Sequence, residues 1–380
     1  MKFNIHIYPS PINFETRILK VTNSLIKNNL VDKIIIIGKI GGKNSSIKEI
    51  DLNRKIYKVN NLINGRNFLI RSIGFLEWSI KVFHILLKEK VNIINCHSLS
   101  VLPLCFALKF WHNSILIYEP HELETETGNS KGLRKLSSKI LERFFIKYVD
   151  HVFVVSRNIS LWYQNKYKIK KPTVIFNSLP IFVKENKNYL KEKYNLKKNQ
   201  KIIIYQGYLA EDRCLVQLIK AFEMRKNKST VLVLLGYGEM SEFINAKSKQ
   251  LKNVFYHNAV NFQEMKSITS SADIGIALND NLSLSHKFCM PNKLFEYAMS
   301  GLPIIASNGI EVESFIKKHK IGLIIKESSP KSINIAIDRL LSKPIKEMGL
   351  IARKIAEQES WEKQEKKLIR DYKMIFKKYF

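Results

Sequence analysis

Hydrophobic and polar positions follow one rhythm along most of this chain. A short run of Ile, Val and Leu is followed by a polar turn, and then by a segment with apolar residues three and four apart. The largely apolar runs Phe3–Tyr8, Lys33–Gly38, Ile56–Val59, Val91–Cys96, Ser114–Tyr118, His151–Val155 and Thr173–Phe176 predict strands, Lys33–Gly38 a buried one. Between them, helices are predicted from about Phe14 to Asn28, and over Ile70–Lys88, Leu102–Trp111, Arg134–Tyr148 and Arg157–Lys166, the last behind Ser156 as N-cap. Strands alternating with helices imply a parallel sheet covered on both sides. Pro180–Gln200 breaks the rhythm, with lysine at 184, 187, 191, 193, 197 and 198 and a short helix near Tyr189–Tyr194, and reads as a solvated linker. Lys201 restarts it. Strands are expected at Ile202–Tyr205, Val231–Leu235, Val254–His257, Asp273–Leu278, Ile304–Ala306 and Gly322–Ile325. The helices of this half are Val216–Arg225, Phe262–Ser270, one opening at Pro291, Ile310–His319 and Ser332–Leu341, before a basic, aromatic-rich helix over Trp361–Phe380.

Ile70–Lys88 departs from simple amphipathicity. Ile73, Phe75, Leu76, Trp78, Ile80, Phe83 and Leu87 spread over more than one face, so core burial is the first reading. Arg71, Lys81 and Lys88 leave a membrane-surface role open beside it.

Composition narrows the class. At 380 residues there is room for two cores, and 45% apolar with 25% charged residues is globular. Cys96, Cys105, Cys214 and Cys289 are scattered without a Cys-x-x-Cys pair, which argues for a reducing compartment and against structural zinc. No signal-peptide layout opens the chain and no apolar run reaches the ~20 residues of a membrane span, so a cytoplasmic protein is expected. A formal charge of +30 suits an anionic membrane surface or a polyanionic substrate; its diffuse spread disfavours nucleic acid. Genome-driven lysine usage is an equal explanation.

Met290–Ser307 carries the most chemistry. Pro291 suits the first helical position, Gly301 the left-handed residue that ends a helix, and Pro303 forbids continuation, which predicts a three-turn helix leading into a buried strand. Leu294, Phe295, Ala298 and Met299 form its apolar stripe, while Lys293 and Glu296 share another face. A lysine beside an open helix N-terminus can hold phosphate, and a carboxylate can accept hydrogen bonds from ribose hydroxyls. From spacing alone, a surface helix with an ordinary charge pair is an equal alternative. Ligand sites of parallel sheets gather at strand C-terminal ends. There stand His97, His121, the loop Gln206–Leu215 with Arg213 at a helix entrance, and the turn Gly236-Tyr237-Gly238. Arg213 offers five fixed N–H groups matched to a diphosphate. Arg17, near a helix start, either faces a cleft or is a surface residue. No Gly-x-Gly-x-x-G follows the first strand, and no metal-ligand spacing accompanies the histidines.

The run Pro-Asn-Lys-Leu-Phe-Glu-Tyr-x-x-x-Gly-x-Pro-Ile-Ile-Ala at 291–306 closely resembles the donor-site motif of retaining GT-B glycosyltransferases of the family 4, or group 1, type. Ile-Tyr-Glu-Pro-His-Glu-Leu at 117–123 resembles that family's Tyr-Asp-x-His-Glu-Leu loop, with Glu119 in place of Asp. Tyr-Gln-Gly-Tyr-Leu at 205–209, followed by Arg213, resembles its phosphate loop, with Cys214 for a usual glycine and Tyr208 where many relatives have arginine. Phe288 stands where many relatives carry a glutamate that addresses the donor sugar.

The resemblance implies an α/β protein of GT-B fold, with two Rossmann-like parallel-sheet domains facing a cleft. Residues 1–180 would be the acceptor domain, 181–200 a linker, 201–356 the nucleotide-sugar domain, and 357–380 a helix crossing back to the first. It implies a retaining, metal-independent transfer of sugar from a UDP- or GDP-linked donor, with no cofactor. The acceptor would be a saccharide, lipid-linked, in surface glycan synthesis at the inner face of the cell membrane. In this picture His121 positions the sugar while Arg213 and Lys293 neutralise the departing diphosphate. Glu296, Asn292, Gly207, Gly236, Pro291 and Leu294 line the donor, and Arg17, His97 and Glu122 face the acceptor or cleft. A nucleotide-sugar 2-epimerase and a non-catalytic partner subunit are the rival readings.

Overall fold

The computed structural model describes residues 2–13, 15–41, 44–63, 65, 67–128, 131–183, 188–226, 229–280 and 283–379. The chain forms two compact units, Met1–Ile175 with Glu365–Phe380, and Phe176–Gln364.

The first unit is built on β1 (Phe3–Ile7), β2 (Lys33–Gly41), β3 (Ser46–Asp51), β4 (Arg54–Asn61), β5 (Ile93–Cys96), β6 (Ile115–Tyr118), β7 (His151–Val154) and β8 (Thr173–Val174). Their order in the sheet is β3-β4-β2-β1-β5-β6-β7-β8. Every described pairing is parallel except β3 with β4. Ile5 lies between Ile35 and Ile94, all three fully buried, while Asn4, His6 and Asn95 are polar residues buried within the same strands. The hairpin of β3 and β4 replaces the single short strand expected at Ile56–Val59. Ser46–Asp51 is exposed along most of its length and held at the sheet edge by pairing and by the Arg54–Asp51 ion pair at 2.6 Å, so no apolar run announces it.

The second unit carries β9 (Lys201–Tyr208), β10 (Thr230–Tyr237), β11 (Val254–Asn258), β12 (Ile274–Ala277), β13 (Ile304–Ser307) and β14 (Gly322–Ile325), all parallel, in the order β11-β10-β9-β12-β13-β14. This is the doubly wound Rossmann order, and its direction of progression reverses between β9 and β12. Ile203, Leu218, Ile305 and Ile337 meet in its core with no exposed surface. Two helices that the apolar pattern does not single out, Ser241–Gln250 and Ile345–Gln358, complete it. Within the stretch expected to be solvated linker, Lys184 and Lys187 lie outside the described residues. Tyr189–Lys193 is a helix docked on this unit, with Leu190 fully buried and Tyr194 stacked on Phe255.

The helix Trp361–Tyr379 begins in the second unit and ends in the first. There Tyr372, fully buried, accepts a 2.7 Å hydrogen bond from Asn95 Nδ2, and Tyr379 donates one of 2.7 Å to Asp150.

The helix Phe68–Leu87 is not the buried element that its apolar content suggests. Trp78, Val82 and Leu86 enter the core, but Leu69, Ile73, Leu76 and Ile80 form an exposed stripe, Leu76 with 59% of its surface open. Beside it the helices Leu102–His112 and Gly132–Phe145 expose Phe110, Trp111, Leu136, Ile140 and Phe144. Among the described residues no helix is long and apolar enough to cross a membrane.

Candidate functional site

At the reversal of strand order in the second unit, the end of β9 meets the helix Asn292–Met299. This helix is eight residues long, shorter than the expected three turns, because Pro291 keeps an extended ψ of 136° and serves as N-cap rather than first helical residue. Gly301, at φ +68°, ends it as expected, and the amide of Leu302 donates to the carbonyl of Tyr297 at 2.9 Å. Leu294, Phe295, Ala298 and Met299 are all buried, so the apolar stripe fixes which face is left for chemistry. Tyr297 clamps the helix to the sheet: its hydroxyl accepts from the Gln206 amide at 3.0 Å and donates to the Ile276 carbonyl at 3.1 Å.

Lys293 and Glu296 therefore sit over the end of β9. The Lys293 ammonium lies 3.9 Å above the centre of the Tyr205 ring and next to Gly207, where a Cβ would come within 3.7 Å of Nζ. Burial, reinforced by the nearby Arg213 charge, pulls its pKa down to about 7. Glu296 receives a hydrogen bond from the Gln206 side-chain amide, whose oxygen in turn contacts the Thr269 hydroxyl. Gln206 and Thr269 are not among the expected site residues. Gln206 is visible within the loop motif, but nothing in its spacing ties it to Glu296.

Arg213 closes the short turn Glu211–Arg213 before the helix Leu215–Met224 and is held 3.3 Å from Asp212. Cys214 follows with φ +52°, the left-handed conformation for which glycine is the unstrained residue. Gly236 has a reason inside the sheet: at φ +156° its Cβ would lie 1.9 Å from the Gly207 carbonyl oxygen, so the approach of β10 to β9 alone requires glycine. Asn292 is exposed. Phosphate held between Arg213, Lys293 and the open helix end, with a diol at Glu296, is the chemistry that this arrangement can perform.

The first unit gathers a separate cluster at the ends of β1, β5 and β6. Asn4 donates through Nδ2 to the Ile93 carbonyl (3.1 Å) and to Asn95 Oδ1 (2.9 Å), which leaves its own Oδ1 to accept from His6 Nε2 at 2.8 Å. His6 Nδ1 must then accept from His97 Nε2 (2.8 Å), and His97 Nδ1 from His121 Nε2 (3.3 Å). Burial keeps His6 and His121 neutral, with pKa values drawn down to about 3, and holds His97 well below the usual value. The relay thus fixes His121 as the Nε2–H tautomer, with a lone pair on Nδ1.

Arg17 does not face outward. It is buried, donating through Nη1 to the Ile175 carbonyl at 2.8 Å and lying 3.7 Å from Glu119, whose own pKa burial still raises. Glu122 is exposed. Near the cluster, Glu124 accepts from Ser98 Oγ at 2.7 Å and from the Leu99 amide at 2.8 Å, its pKa pushed up to about 8 by burial. It opens the turn Glu124–Glu126, which apolar spacing does not announce. Among the described residues no group of three or more His, Cys, Asp and Glu could hold a metal ion.

Residues 186–369 match the family described as Glycosyl transferases group 1. No curated protein matches the chain in sequence. Solved structures of the same fold include sucrose-phosphate synthase from Thermosynechococcus elongatus, with 13% identity, TM-score 0.82 and 99% of both chains covered. Another is Anabaena HepE in complex with UDP-glucose, at 11% identity and TM-score 0.74, covering 98% of this chain and 100% of that one. WaaG, a glycosyltransferase involved in lipopolysaccharide biosynthesis, is similar at 12% identity and TM-score 0.69, with 97% and 98% covered. The chain thus has two parallel-sheet units of the GT-B fold, and its residues 186–369 match the glycosyl transferases group 1 family.

Proposed function

We propose that this protein transfers a sugar, with retention of anomeric configuration and without a metal or other cofactor, from a UDP- or GDP-linked donor to a lipid-linked saccharide during surface glycan synthesis. The observation that carries the reading is the placement of Glu296, held by Gln206, beside Lys293 and Arg213 at the strand-order reversal of the second unit. Glu296 accepts the ribose hydroxyls. Arg213, Lys293 and the open end of Asn292–Met299 stabilise charge on the departing diphosphate. His121, as a fixed acceptor at Nδ1, takes a hydrogen bond from a sugar hydroxyl. The similar HepE structure holds UDP-glucose, which supports a nucleotide-sugar donor. The acceptor class draws support from the charge of +30 and from the apolar face of the first unit, which suit work as a peripheral protein at the inner face of an anionic membrane.

A thermal-shift screen of nucleotide sugars tests the donor. A ligand at 100 times its Kd stabilises by about 2.7 kcal/mol, a readily measured rise in Tm. Hydrogen bonds to a charged group contribute roughly 1.5–3 kcal/mol, so Glu296→Ala should weaken the best donor about 10- to 100-fold. Unchanged affinity in the folded variant would remove Glu296 from the site.

A further inference from the structure

An apolar groove of about 750 Å³ opens between the helices Phe68–Leu87, Leu102–His112 and Gly132–Phe145 of the first unit. Leu76, Ile80 and Phe83 form one wall, with Pro103, Leu104 and Leu141 opposite. At Ser100 and Leu141 it adjoins a smaller, more polar recess of about 270 Å³, bordered by Thr127, Arg134, Ser137 and Ser138. Glu124 also borders this recess, but its carboxyl is engaged by Ser98 and the Leu99 amide. An apolar groove thus adjoins a recess lined by hydroxyls and a guanidinium.

The charges around it are unequal. Lys135, Lys139 and Lys166 are all paired with Glu126. Arg134 is exposed and has no carboxylate partner among the described residues. A planar guanidinium beside several hydroxyls is complementary to a phosphate monoester or diester, and the groove behind it to a hydrocarbon. The recess lies beside Ser98, which directly follows His97 at the end of β5.

We propose that this groove and recess bind the phosphate-bearing hydrocarbon chain of the lipid-linked acceptor, the chain lying along Leu76, Ile80 and Leu104 and the phosphate meeting Arg134. This rests on the acceptor class given above, and it assigns that acceptor a site in the first unit alone. Affinity then grows with chain length. Each buried methylene contributes about 0.8 kcal/mol, roughly fourfold in Kd, so four more methylenes strengthen binding on the order of 100-fold.

Equilibrium dialysis of the full-length protein with monomeric octyl phosphate, dodecyl phosphate and dodecanol, each below its micelle concentration, tests this. Saturable binding of dodecyl phosphate at one site is expected, at least 10-fold tighter than octyl phosphate. Ile80→Glu, at a position already half-exposed and therefore tolerant, should weaken it at least 10-fold. Arg134→Ala should weaken dodecyl phosphate about 10-fold or more and leave dodecanol unchanged. Absence of saturable binding, or binding indifferent to Ile80→Glu, overturns the proposal. So does binding to anionic vesicles without binding of the monomer, which would make the exposed face a bilayer contact only. Nucleotide-sugar binding is followed in parallel. If it is absent while dodecyl phosphate binds as described, the donor reading falls and the groove assignment stands.

Discussion

Lys293 makes a quantitative demand on donor binding. Its pKa is about 7 in the unliganded protein, because burial removes water from the ammonium and Arg213 repels it. A diphosphate placed against it supplies the missing counter-charge and raises that value again. Well below pH 7 the lysine already carries its proton and affinity is flat. Above pH 7 binding must import a proton, so affinity falls about tenfold per pH unit until the bound-state pKa is reached. Each unit regained is about 1.4 kcal/mol of coupling between proton and donor. An intact nucleotide sugar is the right probe, since its diphosphate has no terminal phosphate group titrating near neutrality. Isothermal titration in buffers of different ionisation enthalpy reads the proton directly. Uptake should be roughly 0.2 proton at pH 6.5 and close to 1 at pH 8.5, and Lys293→Met should abolish it. Donor binding at pH 8.5 without proton uptake would refute the placement of phosphate beside Lys293.

Arg213→Ala should lower turnover by about 10²–10³ with a smaller effect on donor affinity, and EDTA should leave turnover intact; a loss below about threefold would exclude a leaving-group role. In ¹⁵N-detected NMR His121 should appear as the neutral Nε2–H tautomer, and His97→Ala should release that preference while the fold persists; a mixed tautomer in the wild type would break the relay. Lys320, exposed at the end of Ile310–His319 with φ +54°, holds a conformation that suits glycine, and Lys320→Gly should stabilise by about 0.5–1 kcal/mol in thermal unfolding.

The parallel core is legible in the sequence because its strands are buried on both faces, as Ile5, Ile35 and Ile94 are. The helix carrying Lys293 and Glu296 is legible because Gly301 and the apolar stripe fix its end and its orientation. Features set by tertiary pairing are not. Ser46–Asp51 is a strand only because Arg54–Asn61 pairs with it. Gln206 matters through a contact ninety residues away in sequence, with Glu296. Arg17 is buried and Glu124 is engaged by partners distant in the chain, so their local sequence shows no sign of it. The apolar content of Phe68–Leu87 is plain, but amount does not tell which residues meet a core and which remain outside.

The helix Trp361–Tyr379 also sets a timetable. During synthesis the first unit's sheet is finished when Val174 emerges, yet the helix that supplies Tyr372 to Asn95 arrives only near the end of the chain. At about 5–20 residues per second the ribosome needs roughly 10–40 s to cover that interval. Throughout it, the surface of the nascent first unit that will receive Tyr372 stays open to water and to chaperones. The whole second unit can be made and folded before the first is closed. Completion of the earlier half is thus a signal that the later half has been translated.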